Sequence, residues 1–421
     1  MMENKYVLIV DPFSSGAVFA NRIRTLFGYD VVALITNQAL PSAVMATFRQ
    51  EDYSAVFSYH SLGRTVQDIE SVIGRAPDFI VCGSEPGVLI FDKLCYHWGL
   101  RPNVPARSTA RRDKYLMQQQ LMLDGIRCIP HYQSGDLAHI LHWCKENPFD
   151  EYVIKPVNSF GTDSVLFCKN TAEITHAFHS LINTTDYAGN NNTVVLVEQK
   201  IHGTEYVADA VSCDGNHFIV NIFRYVKQEI NGVPVYHQMV TEPVDEHPVL
   251  ISYVKEVLDS LGIRNGASHN EVIMSDGGPV LVESGARMHG GLGPQLAEEC
   301  NSHSLIDLSL LARIAPREFE NKIQTPPVLK KYAAEYFLSS PQSGVLNTLN
   351  IESQCSFLES YGFCVCKYRP GDWLEKTTDL VTSYGRIVLF NPDKTKLIAD
   401  VRVITELEKK GMLMTLRYPP A

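Results

Sequence analysis

The sequence predicts a mixed α/β and α+β protein, with an N-terminal domain on a parallel sheet, a β-rich middle and a C-terminal α+β lobe. The first hundred residues alternate apolar runs with stretches of helical spacing, residues 193–240 are almost all strand-like, and strand-like runs resume after Pro326-Pro327. At 421 residues the chain exceeds one compact core, and it fits about two to four domains. The expected divisions are 1–105, 106–195, 196–326 and 327–421.

Taken in order, YVLIV (6–10), VVALIT (31–36), AVFSY (55–59) and FIVCG (79–83) read as strands, with helices at Ala17–Phe27 and Val66–Ile73 between them. The tract from Pro102 to Arg112 is irregular and rich in Pro and Arg, which marks a boundary. A helix from Asp113 to about Leu123 follows and stops at Gly125. HYQS (131–134) and YVIKPV (152–157) are strands flanking a helix near Leu137–Glu146, and the polar tract Asn183–Asn192 is a surface loop. TVVLVEQKI, EYVADAVSC, HFIVNIFRYV and VYHQMV form the β-rich core, followed by a helix at Val249–Leu261 and a hairpin. Helices through Cys300 and at Ser304–Ile314 precede the last boundary, after which AAEYFL, CVCKY, RIVLF and LIADVRV read as strands of a separate lobe.

With 37 Lys+Arg against 47 Asp+Glu the formal charge is −10, which opposes a large nucleic-acid footprint and favours small-molecule partners. The ten cysteines are scattered without a CxxC pair, so a zinc site is not expected. The opening MMENKYVLIVDPF reads as a first strand rather than a signal peptide, and no apolar run approaches the ~20 residues that span a bilayer. A cytoplasmic enzyme with reduced thiols and no membrane partner is expected; homodimerisation is left open.

The hairpin carries the most chemistry. Glu271 in NEVIM and Glu283 in VLVES flank a DGG turn, and Arg287 and Gly290-Gly291 follow. Two carboxylates on paired strands suit divalent cations held against a polyphosphate, with a guanidinium to neutralise the transferring group. A solvated hairpin with its carboxylates in water is the competing reading. Glu283 weighs against it, because it follows Val280-Leu281-Val282 and precedes a small-residue turn.

Lys155 lies inside an apolar strand, where an ammonium is costly unless it meets an anion, and Lys114 starts its helix. The loop PVNSFGTDSVLF, with Ser159 and Gly161, can offer backbone N–H groups to an anion, although the chain has no Walker A motif. Glu198, Gln199 and Glu205 in VVLVEQKIHGTEYVADAV suit the base and ribose of a nucleotide. Ser84 and Glu85 in FIVCGSEPGV fall just past a strand's C-terminal end, where open α/β sheets take ligands, though a loop with a helix-capping serine accounts for them equally.

The succession Lys114, Lys155-Pro156 with its loop, Glu198-Gln199, Glu205, Glu271, Glu283 and Arg287 resembles the ATP-grasp superfamily over Arg101–Leu311. ESGAR with Gly290-Gly291 most resembles its L-amino-acid ligases, of the bacilysin-synthetase and dapdiamide-synthetase type. The resemblance implies an ATP-grasp fold behind an N-terminal α/β domain, and an ATP-dependent, ADP-forming carboxylate–amine ligase. Lys114, Lys155, Ser159 and Gly161 would meet the phosphates of ATP. Glu198, Gln199 and Ile201 would hold the adenine, and Glu205 the ribose. Glu271 and Glu283 would ligate two Mg²⁺ ions, for which Mn²⁺ could substitute, and Arg287 would stabilise an acyl phosphate. Residues 106–195 would carry the phosphate lysines and 196–326 the metal site.

Lys155, Glu283 and Arg287 are the expected catalytic set. Ser84, Glu85, His237, His269, Arg287, His289, Gly290 and Gly291 are candidates for contact with the carboxylate and amino-acid substrates, a lone histidine being more often structural. Two departures stand out: the loop NSFGTDSV has fewer glycines than the superfamily commonly shows, and Gly285 stands where many relatives carry an Asn metal ligand. The alternatives are a carboxylase or purine-type ligase of the same superfamily, or a nucleotide-binding module without turnover. An NAD enzyme is disfavoured, because no GxGxxG follows the first strand.

Overall fold

A computed structural model describes residues 5–37, 40–158, 164–185, 189, 191–230, 233–378, 380 and 382–417. Strands β1 (Tyr6–Val10), β2 (Asp30–Ile35), β3 (Ala55–Ser58) and β4 (Phe79–Cys82) form a parallel sheet in the order β3-β2-β1-β4. β1 is buried at all five positions, as its unbroken apolar run requires of a strand covered on both faces. The helix Leu62–Ile73 starts at Ser61, whose side chain accepts from Arg64 N–H, and ends at Gly74 in the left-handed region. The strand order reverses at β1, so the crevice past the carboxyl ends of β1 and β4 is where such a sheet takes ligands. There the chain packs too closely for side chains: a Cβ on Gly83 would sit 2.4 Å from the Asp11 carbonyl oxygen.

The next unit is an antiparallel sheet of β5 (His131–Ser134), β6 (Tyr152–Lys155), β7 (Leu166–Cys168) and β8 (Val195–Gln199), in the order β5-β8-β6-β7. Helices Leu137–Glu146 and Thr171–Leu181 cover it, burying Ile140, Ile174 and Phe178 against Ile154 and Val197.

The remaining strands are β9 (Thr204–Cys213), β10 (Asn216–Ile230), β11 (Val233–Glu242), β12 (Gly266–Ser275), β13 (Gly278–Gly285), β14 (Tyr332–Leu338), β15 (Gly344–Leu349), β16 (Tyr361–Cys366), β17 (Trp373–Leu374), β18 (Gly385–Asn391) and β19 (Met414–Arg417). Among the described residues, eight of them form one sheet in the order β13-β12-β9-β10-β11-β14-β18-β16, and β17-β15-β19 form a small one. Of the strands after residue 326, β14, β18 and β16 therefore extend the central sheet, through the hydrogen bonds of β11 to β14, while β15, β17 and β19 form the small sheet. Among the described residues no helix is long and apolar enough to cross a membrane.

One expected strand is a helix. LIADVRV lies within Lys394–Lys409, which Asp393 caps by accepting from Thr395 and Lys396 N–H. Its run of apolar residues was short enough to fit either period. Burial follows the helical one, with Leu397, Val401 and Ile404 packed on Tyr336, Ile387 and Leu389 of the sheet. Leu397→Ala is expected to cost about 2–5 kcal/mol, through lost burial and the cavity left behind, read as a lower denaturation midpoint.

Candidate active site

The β12–β13 hairpin places Glu271 directly across from Glu283. Both side chains are about 20% exposed, and Ile273 and Val282 of the same hairpin line the cleft with them. The register slips after Glu271, so Val272 pairs with Leu281 and the extra residue, Val282, turns toward the cleft. Lys114 Nζ lies 3.2 Å from Glu283 Oε2. The helix Lys114–Leu123 that carries it starts at Asp113, whose side chain accepts from Leu116 N–H. Gln118 on the same helix donates to the Leu281 carbonyl at 2.8 Å, which docks the helix on β13.

A cleft of about 540 Å³ separates the β5–β8 sheet from the central sheet. Ile129, Val153, Val165 and Phe167 supply apolar walls, and Lys114, Lys155, Glu198, Gln199, Ile201, Glu205, Glu271 and Glu283 line it as well. The sequence expectations for these residues thus converge on one cavity of the size and lining that suit a nucleotide. Lys155 Nζ pairs with Glu198 Oε2 at 2.7 Å in a buried setting, and Glu198 Oε1 is buried without a hydrogen-bond partner among the described residues. An amino group of a bound base would satisfy it. Glu205 is held by Lys227 and by the Tyr236 hydroxyl, 2.8 Å from Oε1. Ser159 and Gly161 lie outside the described residues.

Arg287 is mostly enclosed beside the N-terminal domain, its side chain 14% exposed and its Nε 2.7 Å from Glu85 Oε2. Arg112 grips the other oxygen of Glu85 and donates to the Asn158 carbonyl at 3.0 Å. Burial opposes the charge on Glu85, yet Arg287 and Arg112 outweigh it and hold the carboxyl down at about 2. Burial likewise opposes the Arg287 charge, and Glu85 followed by Glu283 and Glu271 keeps it firmly protonated. Ser84 precedes the short turn Glu85–Gly87 but makes no capping bond, and its buried hydroxyl has no partner among the described residues. The capping alternative therefore fails for this serine.

Two histidines expected at the substrate do not line the cleft and are held by neighbouring side chains. His237 packs on Tyr336 with ring centroids 4.5 Å apart, on the face of β11 opposite Tyr236, because successive strand residues alternate. Burial pushes it down to about 4. His289 points inward, its Nδ1 3.2 Å from Asp209 Oδ2 and its Nε2 3.4 Å from the Tyr225 hydroxyl. His269 spans Asp209 Oδ1 at 2.9 Å and Glu271 Oε1 at 3.2 Å. Burial would lower it, but these two carboxylates raise it to about 9. Gly290 has open space where a Cβ would stand, whereas Gly291 adopts φ 62° and donates to Ser14 Oγ at 3.2 Å.

Asp209, Arg112 and Lys227 were not anticipated. Asp209 gave a usable signal: a carboxylate at the centre of EYVADAV is as anomalous as the lysine in YVIKPV. Arg112 sits in an irregular tract with no periodicity to single it out.

Similarity to known proteins agrees with this geometry. Residues 149–295 match the ATP-grasp domain model. The chain is 33% identical over 354 residues to dapdiamide A synthase of Enterobacter agglomerans, covering 81% of this chain and 82% of that one. Its fold matches the crystal structure of an L-amino acid ligase from Bacillus licheniformis, with TM-score 0.75 and 17% identity over all of both chains. It also matches phosphoribosylglycinamide synthetase from Anaerococcus prevotii, with TM-score 0.65 and 16% identity over 99% of this chain and 100% of that one. The paired glutamates, the lysine-lined cleft and the extent of the sequence match together place the chain: it belongs to the ATP-grasp family of ATP-dependent carboxylate–amine ligases, in the group that contains dapdiamide A synthase.

Proposed function

We propose that the enzyme joins the carboxylate of an amino acid, or of an acyl-diaminopropionate-like acid, to the amine of a second amino acid. The reaction passes through an acyl phosphate and releases ADP and phosphate, and its product is a dipeptide-like amide of the kind found in peptide antibiotics. The observation that carries this reading is the juxtaposition of Glu271, Glu283 and Lys114 at one end of the cleft, with Arg287 nearby and held by Glu85 of the N-terminal domain.

The residues divide the work. Lys155 and Lys114 hold the polyphosphate, Glu198 and the backbone through Gln199 and Ile201 hold the base, and Glu205 takes the ribose. The hard oxygen donors Glu271 and Glu283 fit two Mg²⁺ ions, which when bound would neutralise phosphate charge and align the γ-phosphoryl group. The acid's carboxylate oxygen attacks the γ-phosphorus and ADP leaves. The amine then attacks the acyl carbon, phosphate departs with the C–O electron pair, and the amine proton passes to solvent or phosphate. Arg287 can hold two oxygens with its charged fork in both steps. Ser84 and Glu85 meet the polar end of a substrate, and Gly290 leaves room for a side chain. In this reading the catalysis is chiefly positioning and electrostatics.

The test is to incubate the protein with Mg-ATP and pairs of amino acids, including 2,3-diaminopropionate derivatives, and to measure phosphate together with product mass. Phosphate release that needs two amino acids and yields their condensed mass is the expected result. Release stimulated by bicarbonate or a ribosyl amine instead would assign a carboxylase or purine-type reaction.

A further inference from the structure

Asp209, His269 and His289 form a buried cluster whose ligand-type atoms lie within 4.8 Å of one another, beside the paired glutamates but without a role in the reaction outlined above. Strand register fixes where they stand. Glu271 pairs with Glu283 in one row across β12 and β13, and on the same face two residues away the row reads Asp209, His269, Gly285 across β9, β12 and β13. Gly285 brings no side chain to that row, and the space is already taken. A Cβ there would lie 2.7 Å from Glu85 Oε2 and 3.3 Å from Arg287 Cζ. The packing that seats Glu85 against Arg287 thus prevents β13 from offering another ligand beside Glu283, and the neighbouring strand presents His269 instead.

The imidazole is aimed. Asp209 Oδ1 lies 2.9 Å from Nδ1 of His269 and its Oδ2 3.2 Å from Nδ1 of His289, while Asn221 Nδ2 donates to Asp209 Oδ2 at 2.7 Å. A carboxylate at the Nδ1 edge fixes a ring's orientation and leaves its Nε2 as the outward ligand atom, a common arrangement behind metal-binding histidines. His289 Nε2 faces a hydroxyl, that of Tyr225. His269 Nε2 faces Glu271 Oε1 at 3.2 Å. With the Nδ1 proton directed at Asp209, these two atoms confront each other as electron-pair donors, and a proton or a cation has to stand between them.

We infer that His269 Nε2 is a nitrogen ligand to the divalent cation held by Glu271, oriented by Asp209, which it shares with His289. The inference rests on the reading of Glu271 and Glu283 as cation ligands. A mixed nitrogen and oxygen donor set favours Mn²⁺ or Co²⁺ over Mg²⁺, relative to a site of oxygens alone.

Mn²⁺ with a non-hydrolysable ATP analogue provides the probe, read by pulsed electron paramagnetic resonance on the full-length protein. The expected spectrum carries the hyperfine coupling of a directly bound histidine nitrogen, which changes to the ¹⁵N pattern when the histidines are ¹⁵N-labelled. Labelling needs no substitution, so folding of a variant cannot obscure the result. His269→Gln should abolish the coupling and His289→Gln should keep it. Asp209→Asn should weaken Mn²⁺ about 10–100-fold, as loss of an orienting partner does. Mn²⁺ bound in the wild type with no histidine coupling overturns the inference and leaves the carboxylate site intact. Failure of the wild type to take up Mn²⁺ with nucleotide, or uptake unchanged in a Glu271→Gln/Glu283→Gln variant, overturns the cation reading and the inference with it.

Discussion

Arg287→Ala is expected to lower amino-acid-dependent phosphate release by about 10²–10³-fold, the loss typical of removing one group aimed at developing charge. Nucleotide affinity should change little, because Arg287 does not line the 540 Å³ cleft. The guanidinium lies 2.7 Å from Glu85 and donates to the Met288 carbonyl at 2.9 Å, so its position is set before substrate arrives. That preorganisation is what a mobile surface arginine would lack. Glu85 keeps Arg112 as a partner after the substitution, and the fold should therefore survive. Arg287→Lys should recover only a small part of the rate, since a point charge cannot hold two oxygens in the way a planar fork does. Glu283→Gln should show a comparable loss by a different route: the carboxylate facing Glu271 and Lys114 is gone, and with it a cation ligand. Phosphate release measured beside calorimetric nucleotide binding checks both variants. Wild-type turnover in either one would remove these residues from the reaction.

How far the sequence could be read depended on how local each signal was. The Glu271/Glu283 pair was visible because a DGG turn between two apolar runs fixes a hairpin within a short span of chain. Lys155 was visible because a charge in an apolar strand needs a partner, although the sequence could not say that Glu198 would be that partner as well as a nucleotide residue. His237 shows the limit. Alternation in VYHQMV places Tyr236 and His237 on opposite faces, but which face meets the cleft depends on the pairing of β11 with β10 and β14. The β11–β14 pairing brings Met239 opposite Glu335, a contact that no local pattern announces and that joins the C-terminal strands to the central sheet. LIADVRV failed for a simpler reason. Seven residues suit either period, and the cap at Asp393 that settles the matter lies outside the apolar run.

The Lys155–Glu198 pair should separate stability from binding. Lys155→Met leaves the Glu198 carboxylate buried with one oxygen newly unpaired and the other already without a partner among the described residues. Breaking a buried pair from one side costs about 3–5 kcal/mol, because the remaining charge keeps its desolvation penalty without the compensating attraction. Adding Glu198→Gln removes that charge, and the double variant should regain most of the loss, since a neutral pair of similar volume is tolerated at such sites. Nucleotide binding should behave differently. Lys155 and Glu198 both line the cleft and each would meet a different part of ATP, so the double variant should bind nucleotide more weakly than the wild type even after its stability returns. Denaturation midpoints with and without nucleotide, taken over the four proteins of the cycle, measure both effects at once. The wild type should gain the most from nucleotide, because an amino group from the base would complete Glu198 Oε1 at the moment phosphate engages Lys155. A single Lys155→Met variant with the wild-type midpoint would show that water reaches the pair. A double variant with wild-type nucleotide affinity would show that the cleft binds its ligand elsewhere.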